Sequence, residues 1–263
     1  MNKYLKNLNR IEFVVTMACT GKCKHCSQGE HKSSENIDKD LAANAVRNIA
    51  KNYNIESVMT FGGEPLLCPE TVYEIHKAAM EMDIPKRQLI TNGFFSRDLN
   101  KIRYVAERII ECGVNEILLS VDAFHQKTIP IDYVVKFAEY FSNTKIILKV
   151  HPAWLVSSEA DNFYNNKTKE ILISFNQMGI ETGEGNVIFP SGNALKYLGE
   201  YFDLNKEIIN PYKEDPADIR AICFSANGDI LGRNIYCQDI IEILDNYNPY
   251  TKRTFDISAK GSF

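Results

Sequence analysis

From residue 11 to residue 189 the chain alternates short β-branched or aromatic runs with longer stretches of helical spacing. A series of that kind builds a parallel sheet layered with helices. The strand-like runs are 11–16, 57–61, 88–91, 116–121, 145–150 and 187–189. Helical spacing covers 38–52, 69–82, 99–112, 131–141 and 170–178. Pro69 suits a helix start, and Gly113 and Gly179 suit helix ends. Right-handed crossovers curl such a sheet into an open barrel of about six strands. The predicted fold is therefore α/β, a partial (β/α)6 TIM-type barrel over 1–200. A short extension, 201–263, follows it. There 221–225 and 230–234 flank Ala226-Asn227-Gly228-Asp229, a hairpin signal, and 239–246 has helical spacing. This small hairpin-helix appendage is expected to close the barrel. The most polar stretch, 162–168, is expected to be a loop.

Bulk properties narrow the class further. At 263 residues and 44% apolar content, the chain can bury a core without disulfide staples. A net charge of -4 and only short basic pairs, such as Lys252-Arg253, argue against a nucleic-acid footprint. No run of roughly 18 apolar residues is present, so no membrane span is expected. Residues 1–10 are basic and 11–19 largely apolar, but Glu12 interrupts the apolar run. A buried first strand is favoured there over an export signal, which makes a cytoplasmic location the expectation.

Seven cysteines are present, and three of them fall within Cys19-Thr-Gly-Lys-Cys23-Lys-His-Cys26, directly after the first strand. In a βα barrel the loops after the strands form the active face. Three thiolates on one tight loop point to metal ligation in a reducing compartment. Iron–sulfur clusters ordinarily take four Cys ligands, so three leave one iron open to a substrate. A zinc site using the three Cys and a histidine such as His31 is an alternative, and so is plain burial of the thiols.

The spacing Cys-x3-Cys-x2-Cys after a first strand resembles the signature of the radical S-adenosylmethionine superfamily. The resemblance implies a [4Fe-4S] cluster on Cys19, Cys23 and Cys26 whose open iron binds S-adenosylmethionine. It also implies reductive cleavage to a 5′-deoxyadenosyl radical that abstracts hydrogen from a substrate. His25 stands where the family usually has an aromatic residue beside the adenine. Gly62-Gly63-Glu64-Pro65, ending the second strand, resembles the family's methionine-binding turn. Asn92, in Thr91-Asn92-Gly93, and Ser120 and Asp122, in Ser120-Val121-Asp122, resemble its further cofactor contacts. Strand alternation places Ser120 and Asp122 on one face. His125, close behind Asp122, is a candidate proton donor or substrate contact. Pro190-Ser191-Gly192-Asn193-Ala194 resembles a turn in which Arg is usual at position 193, so a cofactor contact there is in doubt.

Cys223 and Cys237 are similar to the opening of a SPASM or twitch extension, but no Cys follows Cys237. A shortened, degenerate extension without a second cluster is expected. The resemblance implies a peptide or small-molecule substrate and an external electron donor such as flavodoxin or ferredoxin, with no nucleic acid or membrane partner. A non-catalytic iron–sulfur or zinc protein with an electron-transfer or structural role is the alternative. The Gly-Gly-Glu-Pro turn speaks against it, since an electron carrier has no need of a methionine-binding turn.

Overall fold

A computed structural model of the chain describes residues 2–29, 33–205, 210 and 213–250. His31 and the Lys252-Arg253 pair lie outside the described residues.

Strand β1 (Arg10–Val14) pairs in parallel with β2 (Ser57–Phe61), and β3 (Lys86–Thr91), β4 (Glu116–Leu119) and β5 (Ile147–Val150) follow in order. The helices between them run where the spacing predicts: α1 (Lys39–Asn52), α2 (Pro69–Glu81), α3 (Leu99–Glu111) and α4 (Ile131–Glu139). Local chemistry fixes their ends. The Asp38 carboxylate accepts the first free N–H groups of α1, Asp98 does the same for α3, and Pro69 opens α2. The inner face of α1 buries Ala42, Ala45, Val46 and Ile49 against the sheet. β2 is buried from Ser57 to Thr60, as a strand covered on both faces must be.

Three elements differ from the sequence reading, each for a physical reason. Residues 162–168 do not form a loop. They open helix α5 (Phe163–Gln177), which Asn162 caps by accepting the Asn165 N–H at 2.9 Å. The stretch is polar because its inward residues carry buried hydrogen bonds. The Asn165 amide donates to the carbonyls of Leu155, Ser157 and Ala160 and accepts from Leu155 N–H. Thr168 accepts the Ala123 N–H at 3.0 Å.

The outer parallel strand after α5 is β7 (Glu181–Thr182), which pairs with β5. The run expected as a strand at 187–189 gives β8 (Asn186–Val187), which pairs instead with β6 (Ala153–Trp154) in a separate two-stranded ribbon. Close approach of Gly185 to the Pro152 carbonyl, where a Cβ would collide, leads the chain across to that ribbon.

Third, β9 (Ala221–Phe224) is not the first arm of a hairpin. It pairs in parallel with β1 and becomes the far edge of the main sheet. Phe13 and Phe224 sit in register, with rings stacked at 4.6 Å and an interplanar angle of 8°. Both are fully buried, each worth roughly 2–3 kcal/mol of apolar burial, which favours that edge over a lone ribbon. The hairpin forms one step later, between β10 (Asp229–Ile230) and β11 (Arg233–Asn234), and α7 (Ile240–Asp245) follows. Asn2 ties the start of the chain to this helix, donating to the carbonyls of Leu244 and Tyr247. A seven-residue helix, α6 (Gly192–Leu198), completes the elements.

The main sheet thus has seven parallel strands in the order β7-β5-β4-β3-β2-β1-β9 and stays open between its two edges. No described helix is long and apolar enough to cross a membrane.

Candidate active site at the carboxyl ends of the strands

Beyond Val14 the chain keeps contact with the end of β2. Val15 N–H donates to the Phe61 carbonyl, Gly63 N–H to Thr16 and Glu64 N–H to Ala18, each at 2.8 Å. This is what the Gly-Gly pair serves. Gly62 has φ 140°, and a Cβ there would stand 2.6 Å from the Thr16 oxygen; a Cβ on Gly63 would collide with the Ala18 carbonyl. The close approach is to the chain's own backbone as it enters the cysteine loop.

On that loop Cys23 is buried, and Cys19 and Cys26 are half-buried. Gly21 N–H donates to Cys19 Sγ at 3.3 Å, and Cys26 N–H donates to the Cys23 carbonyl at 3.3 Å. A Cβ on Gly21 would stand 3.2 Å from Cys23 Sγ and 3.7 Å from Cys19 Sγ, so both sulfurs face one small space. Burial pushes the Cys19 thiol up to about 11 and raises Cys23 and Cys26 as well. Lys22 and Lys24 beside them are exposed.

Glu64 and Asn92 join the ends of β2 and β3 to this loop. The Glu64 carboxylate is fully buried and accepts from Leu66 N–H, Thr91 Oγ1 and Asn92 N–H at 3.0, 2.7 and 2.8 Å. Burial outweighs these donors and lifts its pKa to about 7. Asn92 Nδ2 donates to Thr20 Oγ1 at 3.2 Å and reaches Cys19 Sγ at 3.8 Å.

At the end of β4, Ser120 is half-buried and its N–H donates to the Thr91 carbonyl. Asp122 is fully buried. Its carboxylate accepts from Phe124 N–H, His125 N–H and Ala153 N–H, and from His125 Nδ1 at 2.7 Å. Burial opposes its ionisation, but the adjacent His125 and these donors hold the carboxyl well below the usual range. The His125 ring lies 4.7 Å from that of His25, which also packs against Phe124 at 4.9 Å. Burial pushes His25 down to about 4. Phe124 in turn stacks on Tyr164 of α5 at 4.5 Å.

The family model of the radical SAM superfamily matches residues 13–152, more than half of the chain. The chain belongs to the radical SAM superfamily. Curated relatives named "Probable GTP 3',8-cyclase", from Saccharolobus islandicus and Saccharolobus solfataricus, are 24% identical over 212 residues. That match covers 78% of this chain and 65% of the relative, so the chain spans less than two thirds of their length. Among solved structures, SuiB of Streptococcus suis bound to S-adenosylmethionine superposes with a TM-score of 0.61 at 14% identity, covering 93% of this chain and 67% of that one. SuiB bound to its precursor peptide SuiA gives a TM-score of 0.58 at 14% identity, covering 93% and 66%. The enzyme anSMEcpe with bound AdoMet gives 0.54 at 14% identity, covering 88% and 75%. These likenesses establish the fold, the partial barrel expected from the βα series.

Radical SAM enzymes use a [4Fe-4S] cluster and S-adenosylmethionine, and the donor set here fits them. Thiols this buried stay neutral unless a cationic centre lowers their pKa, and a coordinated thiol is deprotonated outright. The N–H of Gly21 and the Asn92 amide already point at Cys19 Sγ, as donors to a thiolate do.

Two contributors escaped the sequence reading. His151, directly after β5, has its pKa lowered by burial and feels the Asp122 charge, as His25 does. Its position after a predicted strand is the available signal. Asn193, where the turn departs from the resemblance, holds the cysteine loop from behind. Its Nδ2 donates to the Cys23 carbonyl at 3.2 Å and its N–H to the Cys26 carbonyl at 2.9 Å. The shorter amide takes the place that Arg usually holds and spends itself on the loop.

Proposed function

We propose that this radical SAM enzyme holds its cluster on Cys19, Cys23 and Cys26 and acts on a peptide substrate at the mouth of the sheet. The observation that carries the reading is the placement of three thiols on one loop after β1, with hydrogen-bond donors aimed at the Cys19 sulfur. Bound there, the cluster and S-adenosylmethionine would supply one-electron reductive cleavage of the cofactor and hydrogen abstraction from the substrate. The chain's own residues position and shield. The turn at Gly62, Gly63 and Glu64 and the Asn92 side chain receive the methionine end, with Ser120 and Asp122 beside the ribose. His25 and Phe124 form an aromatic wall for the adenine.

Asp122 fixes the His125 ring by accepting from Nδ1, which leaves Nε2 to give or take a proton at the substrate. Phe163 and Tyr201, both exposed, flank Tyr164, which stacks on Phe124, and offer an apolar approach suited to a peptide. The exposed Lys22 and Lys24 suit an acidic electron donor such as flavodoxin or ferredoxin. The edge strand β9, the β10–β11 hairpin and α7 act as a twitch-like closure beside β1.

The test is anaerobic reconstitution with iron and sulfide, then dithionite and S-adenosylmethionine, with 5′-deoxyadenosine as the readout. Product from the parent chain and none from Cys23→Ala is expected. Equal product from Cys23→Ala overturns the ligand assignment. A second reading, a nucleotide substrate, is favoured by the names of the Saccharolobus relatives. Adding GTP to the same assay decides it: turnover of GTP sinks the peptide reading.

A further inference from the structure

Overlapping the cysteine loop is a second donor set, two histidines with Cys23, that the cluster accounts for only in part. One ligand atom each from Cys23, His25 and His125 lie within 4.8 Å of one another. Sulfur and imidazole ligands of one tetrahedral ion stand about 2.0–2.3 Å from it and so fall within roughly 4 Å of each other. The thiolates of a four-iron cluster, by contrast, bind separate irons. The spacing of Cys23 with the two rings is close to that of a single-ion site, which a small inward shift of the side chains would reach.

Two independent features of the rings support this. His125 Nδ1 is committed to the buried Asp122 carboxylate at 2.7 Å, which leaves Nε2 as its binding atom. A carboxylate behind a ligating histidine is the usual outer support of a metal site, fixing both tautomer and ring angle. His25 Nδ1 is buried without a hydrogen-bond partner, although its ring sits 4.7 Å from that of His125. A buried imidazole nitrogen in that condition is a donor or acceptor awaiting something.

We infer that Cys23, His25 and His125 form a site for a single borderline-soft divalent cation of the zinc class, with an open fourth position. Mixed thiolate and imidazole donors select such ions over calcium or magnesium. Three protein ligands with one vacancy is the pattern of an ion that keeps a water or an exogenous ligand. Because Cys23 also belongs to the proposed cluster, ion and cluster exclude one another. Metal loading is then a choice made at Cys23, and a chain that holds the ion must release it before the cluster assembles.

Cobalt(II) is the probe, titrated anaerobically into the full-length, metal-free chain. The expected result is one cobalt per chain, with tetrahedral ligand-field bands and a sulfur-to-cobalt charge-transfer band. Cys23→Ser, His25→Asn and His125→Gln should each weaken binding at least tenfold. Cys19→Ala and Cys26→Ala should leave it within twofold. Gln at 125 keeps an amide donor for Asp122, and circular dichroism of each variant separates loss of binding from loss of fold. Addition of iron and sulfide should release the cobalt as the cluster forms. The assignment is overturned if no cobalt binds, or if binding survives the histidine variants and is lost with Cys19 or Cys26. The readout needs no cleavage of S-adenosylmethionine, so its failure is separate from failure of the radical reading.

Discussion

The two halves of the sheet hold their site residues by different means. From β1 to β4 the positioning is done by backbone: Gly62 and Gly63 press against Thr16 and Ala18, and Glu64 is bound by main-chain N–H groups on both sides. From β4 onward it is done by buried side chains that reach far along the sequence. Asn165 satisfies the loop at 155–160, Thr168 holds the residue after Asp122, and Asn193 holds the cysteine loop 170 residues away. Close backbone approach needs particular residues at adjacent positions, so it leaves a motif. A long-range amide needs only one polar residue at the right place, and leaves none.

If that contrast is right, the most damaging single change lies in the first half. In Gly63→Ala the added methyl meets the Ala18 carbonyl, a backbone atom that cannot swing aside. A loss above ~4 kcal/mol is expected from such strain, with reconstituted iron falling to background. Thermal melts and iron assays check it; a stable, iron-loaded variant would show that the glycine pair is not needed for packing. The matching test in the second half is Asn165→Leu. It keeps the volume but strands the Leu155 N–H, while the three carbonyls each keep another donor, so the cost is about 1–3 kcal/mol, that of one buried unsatisfied group. Urea unfolding measures this, and a loss under about 1 kcal/mol would break the comparison.

The same contrast explains what the sequence made legible. Five strands and four helices lie where the spacing predicts, because the strands are short apolar runs and the helices bury one apolar face each, punctuated by Asp38, Pro69, Asp98 or Gly113. The cysteine triad and the turns at 62–65, 91–93 and 120–122 were visible as local words. The start of α5 is not, since its inward residues, Asn165 and Thr168, are polar and buried, and a polar run reads locally as an exposed loop. The edge strand β9 was misassigned because a good turn at 226–229 outweighed the pairing of Phe224 with Phe13, a partner 211 residues distant that no local pattern reports. His151 stood alone, without a motif to draw attention to it.

His76 tests whether a side-chain staple in the first half behaves like those in the second. It is fully buried on α2, with Nε2 2.8 Å from Thr60 Oγ1 on β2. Burial pushes its pKa down to about 3, below the unfolded value near 6.5, so the unfolded chain binds the proton first. Its stabilising contribution is complete above pH ~6.5 and is lost as pH falls toward 3. On this account the parent chain should lose about 2–3 kcal/mol between pH 6.5 and pH 4 through this residue. His76→Leu should start about 1 kcal/mol less stable at neutral pH, from the unpaired Thr60, and show a flatter acid limb. Parallel acid limbs would mean that His76 is protonated in the fold.

The smallest effect is expected where the two modes are both absent. Cys237 is exposed just after β11, held neither by close backbone packing nor by a buried amide. Cys223 lies on β9 opposite Glu12, and burial pushes its thiol up to about 12. Two cysteines fall short of the four that an iron–sulfur cluster ordinarily takes. Cys237→Ala should therefore change stability by less than about 0.5 kcal/mol, as surface substitutions usually do, and leave reconstituted iron near four per chain. Iron clearly above four in the parent chain, falling in Cys237→Ala, would give the extension a metal-binding part of its own. Both halves of the comparison would then need a third term, a region organised by metal and neither by backbone contact nor by buried amides.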